Sequence, residues 1–463
     1  MKIAKKFQKI LMTGCLTILL LFTCSIVIRL FTRQVLIVGM GMDNAFTRLV
    51  FFDNVDMQRQ PDYQAMIYGD TDDYSVDWSA EYPFDYIEQT IPAGEVPENN
   101  DIVQRYTQIV VSLKGRIENY VQDDLVGYTS ITELGSAYEK LIGWNFSPFN
   151  EYNGIYQMTD GYWTVLKSKK DMSEHVASFV FFHDFCEENE ADFLYIQAPY
   201  KVSKYDDVGL SGVTDFSNQN ADDLLSGLKS AEIDALDLRT EIYEQKLPHH
   251  QLFFQTDHHW KGETGLWAAA EIAEYLNTNY GFQIHLSLFE PEAFYSVDYP
   301  ELFLGSLGRK VTLGRAKPED ISLIYPRYET NLHFEIPSIG IDLSGDFSIT
   351  YNMEAVDEID YYNKDPYHAY SYGDRAIIRF ENFNQVQEDK KILFIHDSFG
   401  DCVISFLALG LRNMEALDLR YFTGSLETYI KGSKPDMIIV MYNAGELSFE
   451  VDMTTHTNLY DFR

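Results

Sequence analysis

From about residue 150 onward, the chain alternates short, continuously apolar segments with segments of helical spacing, and this alternation constrains the fold most. A strand that is apolar at every position is buried on both faces, which is typical of a parallel sheet covered by helices. The pattern predicts an α/β fold with a central, mostly parallel sheet. The predicted elements are strands at 192–199, 233–238, 252–254, 390–397 and 434–446, and helices at 175–190, 221–232, after Trp260 and at 400–410.

One internal region departs from this pattern. Residues 311–384 contain stretches of alternating apolar and polar residues, such as FSITYNM and RAIIRFEN. A period of two residues is typical of strands with one buried face. We therefore predict an antiparallel β insertion at about 311–384.

The N-terminus resembles a membrane anchor. Four lysines precede an uncharged apolar run at 10–28, and two arginines follow it. A run of this length spans a bilayer core at about 1.5 Å per residue. The charge asymmetry favours a cytoplasmic N-terminus and an extracellular body. A cleaved signal peptide is a weaker interpretation because no small-residue cleavage site follows, and a buried core helix is usually shorter.

Composition limits the partners. The formal net charge is −35, which disfavours nucleic acid as a partner because phosphate binding requires a basic surface. Cys186 and Cys402 are the only cysteines outside the apolar run, and no CxxC motif is present.

Residues 1–33 are predicted to form the cytoplasmic tip and anchor, 34–145 an extension with one helix near 102–121, and 146–463 a catalytic domain.

A predicted buried strand ends at Asp397–Ser398, and Gly400 begins the following helix. Such a turn presents a serine hydroxyl at the carboxyl end of a sheet strand, where sites of open α/β sheets gather. The free N–H groups of the helix N-terminus could stabilise a developing oxyanion. The alternative interpretation is that Asp397 or Ser398 merely caps the helix.

The segment TDHHW supplies a candidate base for this serine. Asp257 and His259 are two residues apart, so they fall on one side of an extended turn, and Asp257 can orient the imidazole. His258 would then point the other way, and Trp260 could pack behind His259. Two alternatives remain: a metal site that includes the histidines, and an ordinary polar turn in which Asp257 caps the next helix.

TDHHW and HDSFG, in this order and preceded by IQAPYK and IDALDLR, resemble the DHHW protein family. That family is similar to the SGNH-hydrolase-like domains of alginate O-acetyltransferases. The resemblance implies a three-layer SGNH-hydrolase-like fold, with Ser398 as nucleophile, His259 as general base and Asp257 as its orienting acid. It also implies a polysaccharide acceptor and a membrane-bound O-acyltransferase that delivers acetyl groups. His396 departs from the family's pattern, which has glycine before the Asp-Ser pair.

Further side chains are weaker candidates for binding the substrate or the oxyanion. Asn443 ends the last predicted strand and could donate its amide N–H, or could simply form a turn. Gly305 and Ser306, in the Gly-rich segment FLGSLGRK, could donate backbone N–H groups, although a plain turn is the alternative. Lys201 could bind a substrate carbonyl or remain solvated.

The residues thus predict a serine enzyme that uses no cofactor and no metal, and the resemblance favours O-acetyl transfer to a cell-surface polysaccharide. Two other functions remain open. With water as acceptor the same residues would make a carbohydrate esterase, because the difference lies in water exclusion and acceptor binding. A non-catalytic glycan-binding or assembly protein could also retain this fold.

Overall fold

The computed structural model describes residues 155–463, except 207–208, 211–212, 386–389, 450 and 452–457, together with a few residues between 133 and 147. The predicted anchor and the predicted helix at 102–121 lie outside the described residues, as does nearly all of the extension at 34–145. Within the described part of the chain, no helix has the length and apolar character needed to cross a bilayer.

An eight-stranded mixed sheet forms the centre of the described domain. The described strands are β1 (Phe146–Ser147), β2 (Ile155–Gln157), β3 (Trp163–Val165), β4 (Asp192–Ala198), β5 (Ala235–Asp237), β6 (Phe294–Phe303), β7 (Glu319–Pro326), β8 (Leu332–Ile336), β9 (Ile341–Gly345), β10 (Ile377–Asn382), β11 (Lys391–His396), β12 (Asn413–Leu417) and β13 (Met437–Asn443). The order in the central sheet is β5-β4-β13-β11-β12-β10-β8-β9. The strands from β5 to β12 are paired in parallel, and β10, β8 and β9 continue the sheet in antiparallel pairing.

Helices cover both faces of this sheet. The described α-helices are α1 (Ser173–Glu188), α2 (Ser217–Ser230), α3 (Leu238–Glu244), α4 (Gly262–Tyr280), α5 (Ser306–Arg315), α6 (Asp401–Leu407) and α7 (Leu426–Ser433). Apolar side chains of α4 and α6 pack on one face, and those of α1, α2 and α7 pack on the other. The fully apolar strands are explained by this arrangement, because successive residues such as Phe394 and Ile395 enter opposite cores. The predicted α/β architecture, with helices on both faces of a central sheet, is confirmed.

The predicted insertion differs from the structure in two ways. Its strands β8, β9 and β10 extend the central sheet, and β7 pairs with β6 in a separate two-stranded sheet. The RAIIRFEN segment forms β10 as predicted, whereas FSITYNM forms the 3₁₀ helices Phe347–Thr350 and Met353–Val356. The Asp346 side chain accepts a hydrogen bond from the N–H of Ser348 at 2.9 Å, which caps the first of these and overrides the alternating pattern.

The predicted strand at 252–254 is also wrong. Residues His249–Leu252 form a 3₁₀ helix, and Phe253 makes only an isolated bridge to Trp260. The N–H of Phe254 donates to the carbonyl of His259 at 3.1 Å. The chain therefore closes on itself just before α4, in a short loop that contains the Asp-His-His sequence.

Candidate active site

The serine candidate lies in a tight turn between β11 and α6. The N–H of Gly400 donates to the carbonyl of Asp397 at 2.8 Å, and the N–H of Phe399 donates to the Asp397 carboxylate at 2.9 Å. A Cβ atom at position 400 would lie 2.4 Å from the His396 side chain, so the turn requires glycine there. His396 itself is fully buried, and it donates from Nδ1 to the Asp397 carbonyl at 2.8 Å, because that carbonyl can only accept.

Asn443 ends β13 as predicted, and it forms the turn that was the alternative to oxyanion binding, because its Oδ1 accepts from the N–H of Gly445 at 2.7 Å. Its backbone N–H and its side-chain Nδ2 donate to Oδ2 of Asp397, at 2.6 Å and 2.8 Å. The predicted donation to an oxyanion is therefore not formed, because Asp397 takes up the amide. Burial, with the charge of nearby Glu446, raises the pKa of Asp397 to about 7 even though the N–H donors favour its ionised form.

The loop before α4 brings the base candidate to the serine. His259 Nδ1 lies 2.6 Å from Oδ1 of Asp257, and His259 Nε2 lies 2.7 Å from the hydroxyl oxygen of Ser398. The backbone N–H of His259 also donates to Oδ1 of Asp257 at 2.9 Å, which holds the carboxylate in line with the ring. The three side chains form one continuous hydrogen-bonded chain, hereafter the Asp–His–Ser chain, and each of the three residues is at most 8% exposed.

The carboxylate of this chain is kept ionised by its surroundings. Burial opposes the charge of Asp257, but the imidazoles of His258 and His259 and the hydrogen bonds from His259 outweigh it and hold its pKa well below the ordinary value. An ionised carboxylate can only accept, so Nδ1 of His259 carries the proton and Nε2 is left to accept from Ser398. This is the tautomer that a general base requires.

His258 does not point away, as the alternation of an extended chain predicted. Its ring centroid lies 3.8 Å from that of His259, and its Nδ1 lies 3.0 Å from the hydroxyl oxygen of Ser306. Burial and the neighbouring His259 lower the pKa of His258 well below its ordinary value. His258 is therefore a neutral neighbour that packs beside the base.

Gly305 and Ser306 were predicted to offer N–H groups to the oxyanion or to form a plain turn. They lie instead at the start of α5 and hold the base loop. The N–H of Ser306 donates to Oδ2 of Asp257 at 2.5 Å, and the N–H of Gly305 donates to the hydroxyl of Thr256 at 3.0 Å. A Cβ at position 305 would lie 2.3 Å from Cβ of Asp257, so glycine permits this close approach.

Lys201 is not solvated, and its ammonium is bound by backbone carbonyls. Its side chain is fully buried, and Nζ donates to the backbone carbonyl of Asp257 and to that of Trp163 at 2.8 Å. Burial lowers the pKa of Lys201 to about 8. This lysine is thus part of the support beneath the base loop.

The ring that stacks on His259 comes from a residue that the sequence did not single out. Tyr367 lies parallel to the imidazole, with 4.0 Å between centroids and 7° between planes. Trp260, predicted to pack there, is buried against Phe399 and donates from Nε1 to the Phe399 carbonyl at 3.0 Å. Tyr367 lies within the predicted insertion and belongs to no sequence motif. Its contact with His259 could therefore not be predicted from neighbouring residues.

Ligand atoms of Asp257, His258 and His259 lie within 4.8 Å of one another, so a metal ion is a geometric alternative. Both nitrogens of His259 are already engaged, Nδ1 by the carboxylate and Nε2 by Ser398. A cation bound by His259 would have to displace one of these hydrogen bonds. The donor set therefore fits the Asp–His–Ser chain better than a metal centre.

Comparison with known proteins bears on the matched part of the chain. Residues 161–318 match the family model described as the SGNH hydrolase-like domain of acetyltransferase AlgX. The resemblance predicted from the two motifs is confirmed. The matched range holds Asp257 and His259, whereas Ser398 lies beyond it and meets them only through the fold. A search of the curated proteins found no match.

Solved structures resemble this chain at low sequence identity. Bacillus cereus PatB1 with a sulfonyl adduct is 17% identical, covers 67% of this chain and 98% of its own, and has a TM-score of 0.55. A DHHW family protein from Eubacterium siraeum is 13% identical over 65% of this chain and 94% of its own, with a TM-score of 0.47. The O-acetyltransferase domain of Pseudomonas putida AlgJ is 13% identical over 67% and 99%, with a TM-score of 0.43. At such identity, the PatB1 likeness shows a shared fold.

Proposed function

We propose that the protein is a membrane-anchored, extracytoplasmic serine O-acyltransferase that acetylates a cell-surface polysaccharide. The observation that carries the proposal is the Asp–His–Ser chain, with links of 2.6 Å and 2.7 Å. The match to the acetyltransferase family supports the class of reaction. This arrangement activates a serine whatever fold carries it, because a base and its orienting acid are in place.

The reaction proceeds in two halves. His259 Nε2 takes the proton of the Ser398 hydroxyl as the oxygen attacks the carbonyl carbon of an acetyl ester, and the imidazolium returns that proton to the departing alcohol. An acetyl-serine remains. A sugar hydroxyl then gives its proton to Nε2 and attacks the acetyl carbon, and the proton returns to Ser398 as the acetylated sugar leaves. Asp257 stabilises the imidazolium in both halves.

The turn after β11 offers the backbone N–H of Ser398 to the oxyanion. The N–H groups of Phe399, Gly400 and Asp401 all donate within the turn, so the predicted donors at the helix start are engaged. The N–H of Ser398 makes no hydrogen bond to another described residue. We assign this N–H as the oxyanion donor, since it adjoins the attacking oxygen.

The proposal places the body outside the membrane. The four lysines before the apolar run at 10–28 support a cytoplasmic N-terminus. Tethering would raise the local concentration of the domain near a membrane-borne donor and a growing glycan. A membrane-bound O-acyltransferase is the proposed acetyl-donating partner, and the polysaccharide is the acceptor.

The deciding experiment detects the covalent intermediate. Full-length protein in detergent is mixed with p-nitrophenyl acetate, and the peptide that contains Ser398 is analysed by mass spectrometry. Wild type is expected to release a burst of p-nitrophenol and to carry acetyl on Ser398, and Ser398→Ala is expected to do neither. Wild-type protein without turnover or acetyl-Ser398 would leave a glycan-binding role as the better explanation.

Adding oligosaccharides separates transfer from hydrolysis. A transferase yields acetylated sugar faster than free acetate, whereas an esterase yields acetate at the same rate with or without sugar. A chelator is expected to leave the p-nitrophenol burst unchanged, because His259 is engaged with Asp257 and Ser398. Loss of the burst after chelation would restore the metal alternative.

A further inference from the structure

Lys201 is a buried cation whose hydrogen bonds to the described residues all end on backbone carbonyls. These carbonyls belong to Asp257, to Trp163 at 2.8 Å, and to Gln255 at 3.5 Å. Burying an ammonium group is costly unless its donors are satisfied, so a neutral side chain would suit this interior if only packing were needed. The cation therefore points to a task at the carbonyl of Asp257.

The carboxylate of Glu319 binds the backbone N–H groups of the same loop. This first residue of β7 accepts from the N–H of Gln255 at 2.8 Å, the N–H of Thr256 at 2.7 Å and the Thr256 hydroxyl at 2.5 Å. Its carboxylate also interacts electrostatically with Lys201. The loop thus lies between an anion on its N–H groups and a cation on its carbonyls, which matches the polarity of the peptide dipoles.

We propose that Lys201 is a positioning residue for the Asp–His–Ser chain, and that Glu319 acts with it on the same loop. This inference rests on the proposed function. The N–H of Ser306 anchors the carboxylate of Asp257, but an anchored side chain keeps its direction only if its backbone is held as well. The ammonium of Lys201 provides that second point.

The rate of catalysis depends on how accurately the backbone of Asp257 is held. A displacement of about 1 Å at a reacting group costs about 100-fold in rate. If the backbone of Asp257 shifts, the carboxylate leaves the line of Nδ1 of His259, and the imidazolium loses its stabilisation. Lys201 is fully buried, so substrate binding is expected to be unaffected by its replacement.

The first test removes the charge of Lys201 while keeping a side chain of similar length. Lys201→Met is expected to lower kcat for acetylation of Ser398 by about 100-fold, with KM within about twofold of wild type. Lys204→Met is the matched control, because Lys204 lies three residues further on, partly exposed and paired with Asp222 at 2.8 Å. It is expected to react like wild type.

The second test asks whether charge or volume matters. Methylammonium added to Lys201→Ala is expected to restore activity at least tenfold, whereas methanol of similar size is expected to restore none. A purely structural cavity would respond to both molecules or to neither, and either result would overturn the proposal.

Glu319→Gln provides an independent variant with an unchanged shape. It is expected to lower kcat by about 10-fold, in the range found for outer supporting residues. If Lys201→Met does not fold, this variant decides, and an unchanged kcat would overturn the proposal.

The outcomes separate the two hypotheses. Wild type that forms no acetyl-Ser398 would contradict the proposed function itself. Wild type that acetylates, beside a folded Lys201→Met with unaltered kcat, would leave the function standing and remove only the positioning role.

Discussion

Nε2 of His259 lies 2.7 Å from Oγ of Ser398, although the two residues are 139 positions apart in the chain. Each lies in the loop just before a helix, His259 before α4 and Ser398 before α6. These two helices pack closely near their first turns, where Gly265 lies against the backbone of Cys402. The contact between helix N-termini therefore sets the distance between base and nucleophile.

Gly265→Ala is expected to disturb that contact. Its Cβ would lie 2.6 Å from both the carbonyl oxygen and Sγ of Cys402, so the helices must move apart. Overpacking of this kind costs about 1–3 kcal/mol in the free energy of unfolding, and the wider gap lowers kcat. Gly432→Ala in α7 is the control, because no atom lies within 4 Å of its added Cβ. Thermal melts and burst kinetics measure both, and equal behaviour of the two variants would contradict this relationship.

Asp257→Asn is expected to lower kcat by about four orders of magnitude while the fold persists. An amide at this position could present its NH₂ to His259 and favour the wrong imidazole tautomer, and it would no longer stabilise the imidazolium. Single-turnover acetylation of Ser398 measures the effect. Asp298→Asn, which changes an exposed carboxylate on β6, is expected to leave the rate of acetylation unchanged. A loss of less than tenfold in Asp257→Asn would argue that the carboxylate is not the orienting acid.

Replacing each of the two adjacent histidines is expected to change the rate of Ser398 acetylation by a different amount. His259→Ala removes the base and is expected to abolish acetylation. His258→Ala removes a ring 3.8 Å from His259 and the contact with Ser306, so a loss of about 10-fold is expected. Acetyl-Ser398 counted over time distinguishes them, and equal losses would return the metal alternative to consideration.

Tyr367 offers a test of ring stacking. Tyr367→Phe keeps the parallel contact with His259 and loses only the hydroxyl contacts to Ser398 and Cys402, at 3.4 Å each. It is expected to retain activity within a few-fold. Tyr367→Ala removes a fully buried ring and is expected to cost about 3–5 kcal/mol in stability, with a lower kcat. If Tyr367→Ala retains wild-type kcat, the stacked ring does not orient the base.

The alkaline side of the pH profile reports on Lys201. Burial lowers its pKa to about 8, against the opposing charges of Asp257, Glu319 and Asp160, and His258 faces the same group. Activity is expected to fall as pH rises through about 8, because the ammonium that holds the Asp257 carbonyl loses its proton. Rates corrected for Ser398→Ala blanks measure this limb. A flat profile to pH 10 would contradict it.

The contribution of Lys201 to stability changes with pH in the opposite direction to its expected effect on activity. The folded pKa lies below the ordinary lysine value of about 10.4, so between about 8 and 10.4 the unfolded state binds more protons. The contribution of Lys201 to the free energy of unfolding therefore rises with pH over this window. Thermal melts along the pH series separate the two effects.

Local pattern predicted much of the domain. Largely apolar runs became β4, β11 and β13, because a strand buried on both faces must be mostly apolar, and the IDALDL segment became the short edge strand β5. The Asp-x-His spacing predicted that Asp257 and His259 would meet. Such features depend only on neighbours in the chain, so sequence alone determines them.

Only the tertiary structure decided which polar groups serve the substrate and which hold the site. Lys201, Ser306 and Asn443 all carry donors suited to an oxyanion or a carbonyl, yet each is buried against the loops that hold Asp257 or Asp397. A buried donor must take the nearest acceptor, and that acceptor is set by helices and strands far away in sequence. For the same reason no sequence motif could indicate that Tyr367 stacks on His259. The sequence by itself determined the Asp-x-His pair and the strand that ends at Ser398.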